Sequence, residues 1–164
     1  MNPQAKALAT LKRKQTASDN RGTEAVFHAA VSRYVKLVSI PSAGGKFIGK
    51  GRFVSQPVTV DLVGSIIGTG RMFLADVKRS DCKKTLYYST CFKDREHQRR
   101  ELVEQGQNGA MTGLLVESTE HECFFWISWE NLLPKFIGTD WSDPLWVSLG
   151  PSNKLPNLSS IFAR

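Results

Sequence analysis

The first half of the chain has one apolar stripe at helical spacing. Phe27, Val31, Tyr34, Val35 and Val38 recur on one face and predict a helix from Gly22-Thr23 to about Val38, with Thr23 as its N-cap. Pro41 to Lys46 breaks that pattern and opens a basic loop that continues through Lys50 and Arg52. From about residue 58 the period shortens. Two apolar arms spanning about 58 to 79 meet at Gly68-Thr69 and predict a β-hairpin. A third strand is expected at Thr85 to Thr90. A charged helix begins near Lys93 and ends before Gly109, with Phe92, Glu96 or His97, Leu102 and Val103 facing inward. Strands at Ala110 to Glu117 and Glu122 to Trp129 follow, then a short helix at Glu130 to Phe136. Helix, three strands, helix and two strands predict an α/β fold: a single domain with a central mixed β-sheet flanked by helices. Residues 1–20 read as a basic arm, 21–140 as the domain, and 141–164 as a Pro-, Ser- and Asn-rich tail anchored by Trp141 and Trp146.

Charge sharpens this division. Residues 1–50 hold nine Lys/Arg and two Asp/Glu, whereas residues 51–164 hold thirteen of each, so the whole formal excess of +7 lies in the first part. A basic arm of this kind is an electrostatic footprint for nucleic acid, because each neutralised phosphate releases counterions. A length of 164 residues suffices for one core. No segment reads as a membrane span or a signal-peptide core, and Cys82, Cys91 and Cys123 form no C-x-x-C pair. An odd cysteine count suits a reducing cytoplasm. The spacings of Cys82, Cys91, His97, His121 and Cys123 match no zinc motif.

The candidate chemistry lies in the hairpin. With antiparallel register symmetric about Gly68-Thr69, Asp61 falls opposite Asp76, and Asp76 and Lys78 share a face. Two carboxylates and an ammonium then converge inside an apolar hairpin. Charges in such a place are costly unless they are paired or bind an ion. Hard oxygen donors with few protein positions suit Mg²⁺, with Mn²⁺ as its substitute, and point to metal-assisted phosphodiester hydrolysis. A salt bridge between Asp76 and Lys78, with Asp61 capping a turn, is the alternative for this segment.

The pattern resembles the PD-(D/E)xK nuclease superfamily, in which one Asp precedes an Asp/Glu-x-Lys on the next strand. Further motifs narrow the resemblance. Asn20-Arg21-Gly22, Gln56-Pro57-Val58-Thr59-Val60-Asp61-Leu62-Val63-Gly64, Leu74-Ala75-Asp76-Val77-Lys78 and His97-Gln98 occur in order, followed by a Gly-rich entry from Gly106 into the strand ending near Val116. Over roughly residues 20–130 these resemble the RecU-type Holliday junction resolvases, in a compact or phage-like version. The chain departs from that family at Val60, where Thr is usual, at Asp76, where Glu is usual, and in the short 41–52 segment. Ser42-Ala43-Gly44 is similar to the serine-glycine loop of archaeal junction resolvases.

The resemblance implies a restriction-endonuclease-like αβββαβ core and Mg²⁺-dependent resolution of four-way DNA junctions by paired nicks. It implies metal ligation by Asp61, Asp76 and the Val77 carbonyl, with an additional acid, Glu24, from the first helix. Lys78 would serve the attacking water and Gln98 would orient water or lysine. Arg21, Ser42, Lys46, Lys50, Arg52, Thr59, Arg99 and Arg100 are the candidate DNA contacts. A homodimer, a branch-migration helicase as partner and a bacterial or phage-encoded cytoplasmic protein belong to the same expectation. Another endonuclease of the superfamily, of repair or restriction type, and a non-catalytic DNA-binding module are the alternatives.

Overall fold

The computed structural model describes residues 21–38, 45–47, 53–55, 60–132 and 138–163, with the backbone alone at 21, 45–47, 53–55 and 138–139. Its centre is the strand β5 (Met72–Ser80), flanked by β4 (Leu62–Ile66) in antiparallel and by β7 (Met111–Ser118) in parallel pairing. The strands β1 (Val35–Leu37), β8 (Cys123–Ser128) and β10 (Val147–Pro151) complete a mixed six-stranded sheet in the order β1-β4-β5-β7-β8-β10. Two small ribbons lie outside it: β2 (Gly45–Phe47) with β3 (Phe53–Ser55), and β6 (Thr85–Tyr87) with β9 (Gly138–Asp140).

Helices cover both faces. On one side α1 (Arg21–Val31) sets Val26, Phe27, Ala30 and Val31 against Phe73, Ala75 and Val77 of β5, and Phe27 meets Phe124 edge-on with ring centroids 5.1 Å apart. On the other, α2 (Tyr88–Phe92) and α3 (Glu96–Gln107) set Phe92 and Leu102 over Leu74, Leu114 and Val116. Strands β5 and β7 are therefore buried on both faces. This is the environment of parallel strands joined by a helical crossover, here β5–β6–α2–α3–β7.

The expected single α/β domain with a mixed sheet and flanking helices is the architecture found, but two of its elements are built differently. The first helix stops at Val31, and Val35–Leu37 forms β1, with Val35 opposite Ile66 and Leu37 opposite Gly64. Val35, Lys36 and Leu37 are buried, exposed and half-buried in turn, so these apolar positions satisfy period 2 as well as period 3.6, and pairing with β4 decides between them. A Cβ on Gly64 would sit 2.5 Å from the Lys36 carbonyl oxygen, so glycine is what lets the two strands close. The segment expected as a strand from Thr85 to Thr90 divides, pairing outside the main sheet up to Tyr87 and turning helical from Tyr88.

The last residues belong to the fold. Strand β10 pairs with β8, Leu149 is buried, and the short helix α4 (Ser159–Phe162) stacks Phe162 on Tyr34 at 4.9 Å. The aromatic run Phe124 to Ile127 lies within the core. Close approach of β7 to β8 depends on Gly113, where a Cβ would lie 2.2 Å from the Ile127 carbonyl oxygen and 2.7 Å from the Trp126 ring. Because one of those neighbours is backbone, Gly113→Ala is expected to cost about 2 kcal/mol or more. Urea unfolding measures the loss, and an unchanged midpoint would contradict the packing described here.

Candidate active site

The hairpin that carries the acids turns through Ile67 to Gly70, with Gly68 and Gly70 at φ 90° and 70°. The loop is longer than a two-residue turn, yet it keeps the expected centre. Ile66 N–H donates to the Arg71 carbonyl at 2.8 Å, Ser65 pairs with Met72 and Leu62 with Ala75. Continued by one residue, this register sets Asp61 against Asp76. The half-buried Asp61 accepts the Val77 backbone N–H on Oδ2 at 2.7 Å, which extends the strand pairing through a side chain.

Alternation along β5 turns Asp76 and Lys78 to the side covered by α2 and α3. Asp76 is fully buried and Lys78 is 6% exposed. Lys78 Nζ lies 2.5 Å from Asp76 Oδ2 and donates to Gln98 Oε1 at 3.3 Å. Gln98, Leu102 and Gly106 form the buried face of α3 at four-residue intervals. A glutamine in an otherwise inward stripe thus reaches the lysine. Cys91 completes the wall of the site, and burial pushes its thiol up to about 12, leaving it neutral beside the charged pair. Asp61, Asp76, Lys78 and Gln98, four residues singled out from sequence, are thus brought to one place.

The electrostatics are those of a strained pair of acids. Burial pushes the Asp76 carboxyl up from 3.8 to about 7, Lys78 opposes that rise and Asp61 adds to it. Both Asp76 oxygens are buried; the Lys78 ammonium takes Oδ2, and Oδ1 has no hydrogen-bond donor among the described residues. A buried carboxylate oxygen without a donor, beside a second carboxylate, is what a hard cation would satisfy. The all-oxygen donors Asp61, Asp76 and the Val77 carbonyl therefore fit Mg²⁺ or Mn²⁺. Among the described residues no group of three His, Cys, Asp or Glu side chains converges, so such an ion would take its remaining positions from water and phosphate.

The other candidates are placed as follows. Glu24 sits half-buried in the first turn of α1, a helix on the opposite face of the sheet from Lys78 and Gln98. Its neighbour Thr23 is the residue of that turn that reaches the sheet: its hydroxyl donates to Glu117 Oε2 at 2.5 Å, and Arg79 Nε lies 3.8 Å from the same oxygen. Sequence reading took Thr23 as the N-cap of a helix that already includes Arg21, and passed over Glu117 and Arg79. The available signal was Glu117, an acid closing the apolar run Leu114-Leu115-Val116 on a strand buried on both faces. Arg99 turns inward, with bonds to Glu96 Oε1 at 2.7 and 3.0 Å and to the Leu132 carbonyl at 2.9 Å, while Tyr88 donates to the other Glu96 oxygen. Arg100 is exposed and only 3.8 Å from Glu96, so it is the arginine of α3 that faces solvent. Arg21 begins α1 and Lys46 lies in β2, but their side chains, together with Ser42, Lys50, Arg52 and Thr59 and the basic arm 1–20, lie outside the described residues.

No protein-family model matches the chain, and no curated protein is significantly similar to it. No helix among the described residues is long and apolar enough to cross a membrane.

The raised Asp76 carboxyl predicts how stability depends on pH. The folded protein holds this proton up to about pH 7, whereas the unfolded chain releases it near 3.8. Between those values the folded state binds more protons, so the contribution is complete below about 3.8 and lost as pH passes about 7. Stability of the metal-free protein should fall across that window, and Asp76→Asn should flatten the fall and raise stability near neutrality. Thermal unfolding in EDTA from pH 5 to 7.5 measures both, and equal slopes for the two proteins would contradict the assignment.

Proposed function

We propose that the protein is a metal-dependent endodeoxyribonuclease, and that its substrate is the four-way DNA junction. The observation that carries the first part is the convergence of Asp61, Asp76, Lys78 and Gln98, with an acid and a lysine both buried on one strand. A purely structural ion pair in that position gains little over apolar side chains, because desolvation offsets its attraction. Perturbed acids concentrate where chemistry is done. The junction preference rests on the ordered motifs shared with RecU-type resolvases, and so does a symmetric dimer that presents two sites to a two-fold substrate.

In this reading Asp61, Asp76 and the Val77 carbonyl would hold Mg²⁺, with water and phosphate filling its remaining positions. When bound, the ion supplies charge neutralisation at the phosphate and a lowered pKa for the attacking water. The protein's own residues do the rest. The Val77 N–H fixes the orientation of Asp61. Gln98 and Asp76 together hold the Lys78 ammonium, so the charge is pre-positioned for the water and for the negative charge that develops on phosphorus. Burial keeps that charge in a low dielectric, where it acts most strongly. Arg100 and the basic arm supply non-specific phosphate contacts that set affinity.

Asp61→Asn and Asp76→Asn are expected to abolish Mg²⁺-dependent nicking, with binding of a four-way junction retained or tightened as phosphate repulsion falls. Lys78→Ala is expected to be inactive with Mn²⁺ binding preserved. Cleavage assays beside gel shifts and calorimetric Mn²⁺ titration separate these roles. Near-normal cleavage by either Asn variant would sink the metal assignment. Comparison of junction, linear duplex and single strand tests the substrate. Equal cutting of all three favours a general endonuclease of the same superfamily.

A further inference from the structure

A cavity of about 430 Å³ opens at the end of the sheet away from Lys78. It is bounded by Met111 and Thr112, which pair with Phe73 and Leu74 at the start of β5, whereas Asp76 and Lys78 pair with Leu114 and Val116 further along. The volume lies in the range of sites for small organic ligands.

Its walls differ in chemistry. Trp126 and Trp129 are aromatic. A Cβ on Gly106 would lie 2.3 Å from the Trp129 ring, so that indole rests against the α3 backbone and is held in place. Arg71 borders the cavity with its guanidinium already fixed: Nε donates to the Gly109 carbonyl at 2.6 Å and Nη2 to the Ala110 carbonyl at 3.3 Å. Those bonds use two of the five N–H groups of an arginine, and a pre-ordered planar cation with spare donors suits a phosphate. Glu130 and Asn131 supply acceptors and an amide on the same rim, and the only bond the Asn131 amide makes among the described residues is a long one, 3.5 Å to Ser128 Oγ. An indole on the wall, an amide able to pair with a base edge and an immobilised arginine make up the complement of one nucleotide.

We propose that this cavity binds a single nucleotide, its base against Trp129 and its phosphate on Arg71. The unit is either a free nucleotide or one residue of an unpaired strand, since both present the same base and phosphate. The inference stands apart from the nuclease reading, because none of the cavity residues belongs to the Asp61–Asp76–Lys78–Gln98 cluster.

Tryptophan fluorescence of the full chain, titrated with dAMP, adenosine, a short deoxyadenosine single strand and the matching blunt duplex, tests it. Saturable quenching by dAMP is expected. Arg71→Gln should weaken dAMP binding about tenfold and leave adenosine unchanged, whereas Trp129→Leu should weaken both. Thermal unfolding of both variants checks that they fold, and Glu120→Gln, at an exposed residue outside the cavity, serves as the surface control. Tighter binding of the single strand than of dAMP assigns the site to an unpaired stretch of substrate, and binding of dAMP alone assigns it to a free nucleotide. No saturable response to dAMP or to the single strand, or equal binding by wild type and both cavity variants, overturns the proposal. Asp76→Asn should bind dAMP as wild type does, which keeps the outcome separate from that of the cleavage assays.

Discussion

Burial of β5 on both faces is the constraint from which the rest of this structure follows. One face of the strand offers Phe73, Ala75 and Val77 to α1, and that side is an ordinary apolar core. The other offers Leu74, Asp76 and Lys78 to α2 and α3. Only the first of those three is a comfortable interior residue. A buried acid and a buried lysine on adjacent same-face positions need each other. They also need a helix positioned to bring a polar group to the lysine, and Gln98 answers that need. The parallel partner β7 matters for the same reason. A parallel pair requires a crossover, and the crossover delivers α3 over the charged pair.

Such an arrangement is a poor way to hold a protein together. The pair brings less than an apolar replacement would, and Asp76 is driven toward its neutral form by burial and by Asp61. A second carboxylate beside a desolvated first one makes matters worse unless something positive lies between them. The charged pair therefore stands out against an otherwise well-packed strand as a place where local packing rules are broken.

Sequence made the site more legible than the fold around it. Hairpin register depends only on the centre of symmetry, and Gly68-Thr69 marked that centre even though the loop is longer than two residues. Side-chain alternation then placed Asp61, Asp76 and Lys78 without further information. Gln98 was readable from its motif, but the expected inward face of α3 held Glu96 or His97 in its place; Leu102, four residues later, was the signal that turns Gln98 inward. The helix end at Val31 was not readable. Val35, Lys36 and Leu37 satisfy two periods at once, and the choice belongs to β4, a partner distant in sequence. Thr85 to Thr90 failed for a related reason. Its composition favours a strand, but β6 ends at Tyr87 against β9, and from Tyr88 the chain must start its helical return to β7. Strand β10 hid within a Pro- and Ser-rich tail, because its place at the sheet edge is made by Phe124 to Trp126 on β8 and not by its own pattern.

Those misplaced elements are also the ones that frame the second cavity. Val147 at the start of β10, Ile161 and Phe162 of α4, and Ile66 beside β1 all line it, so the concavity exists only once the late strand and helix have docked. Arg71 ties together the starts of β5 and β7 at this end of the sheet. It stands immediately after the hairpin loop whose register aligns the acids, and its guanidinium ties that loop to the chain between α3 and β7. A group that holds the loop to the crossover therefore braces the hairpin at the end away from the acids. The cavity near Arg71 and the acid pair then share one structural element, the hairpin, although the two sites have no residue in common.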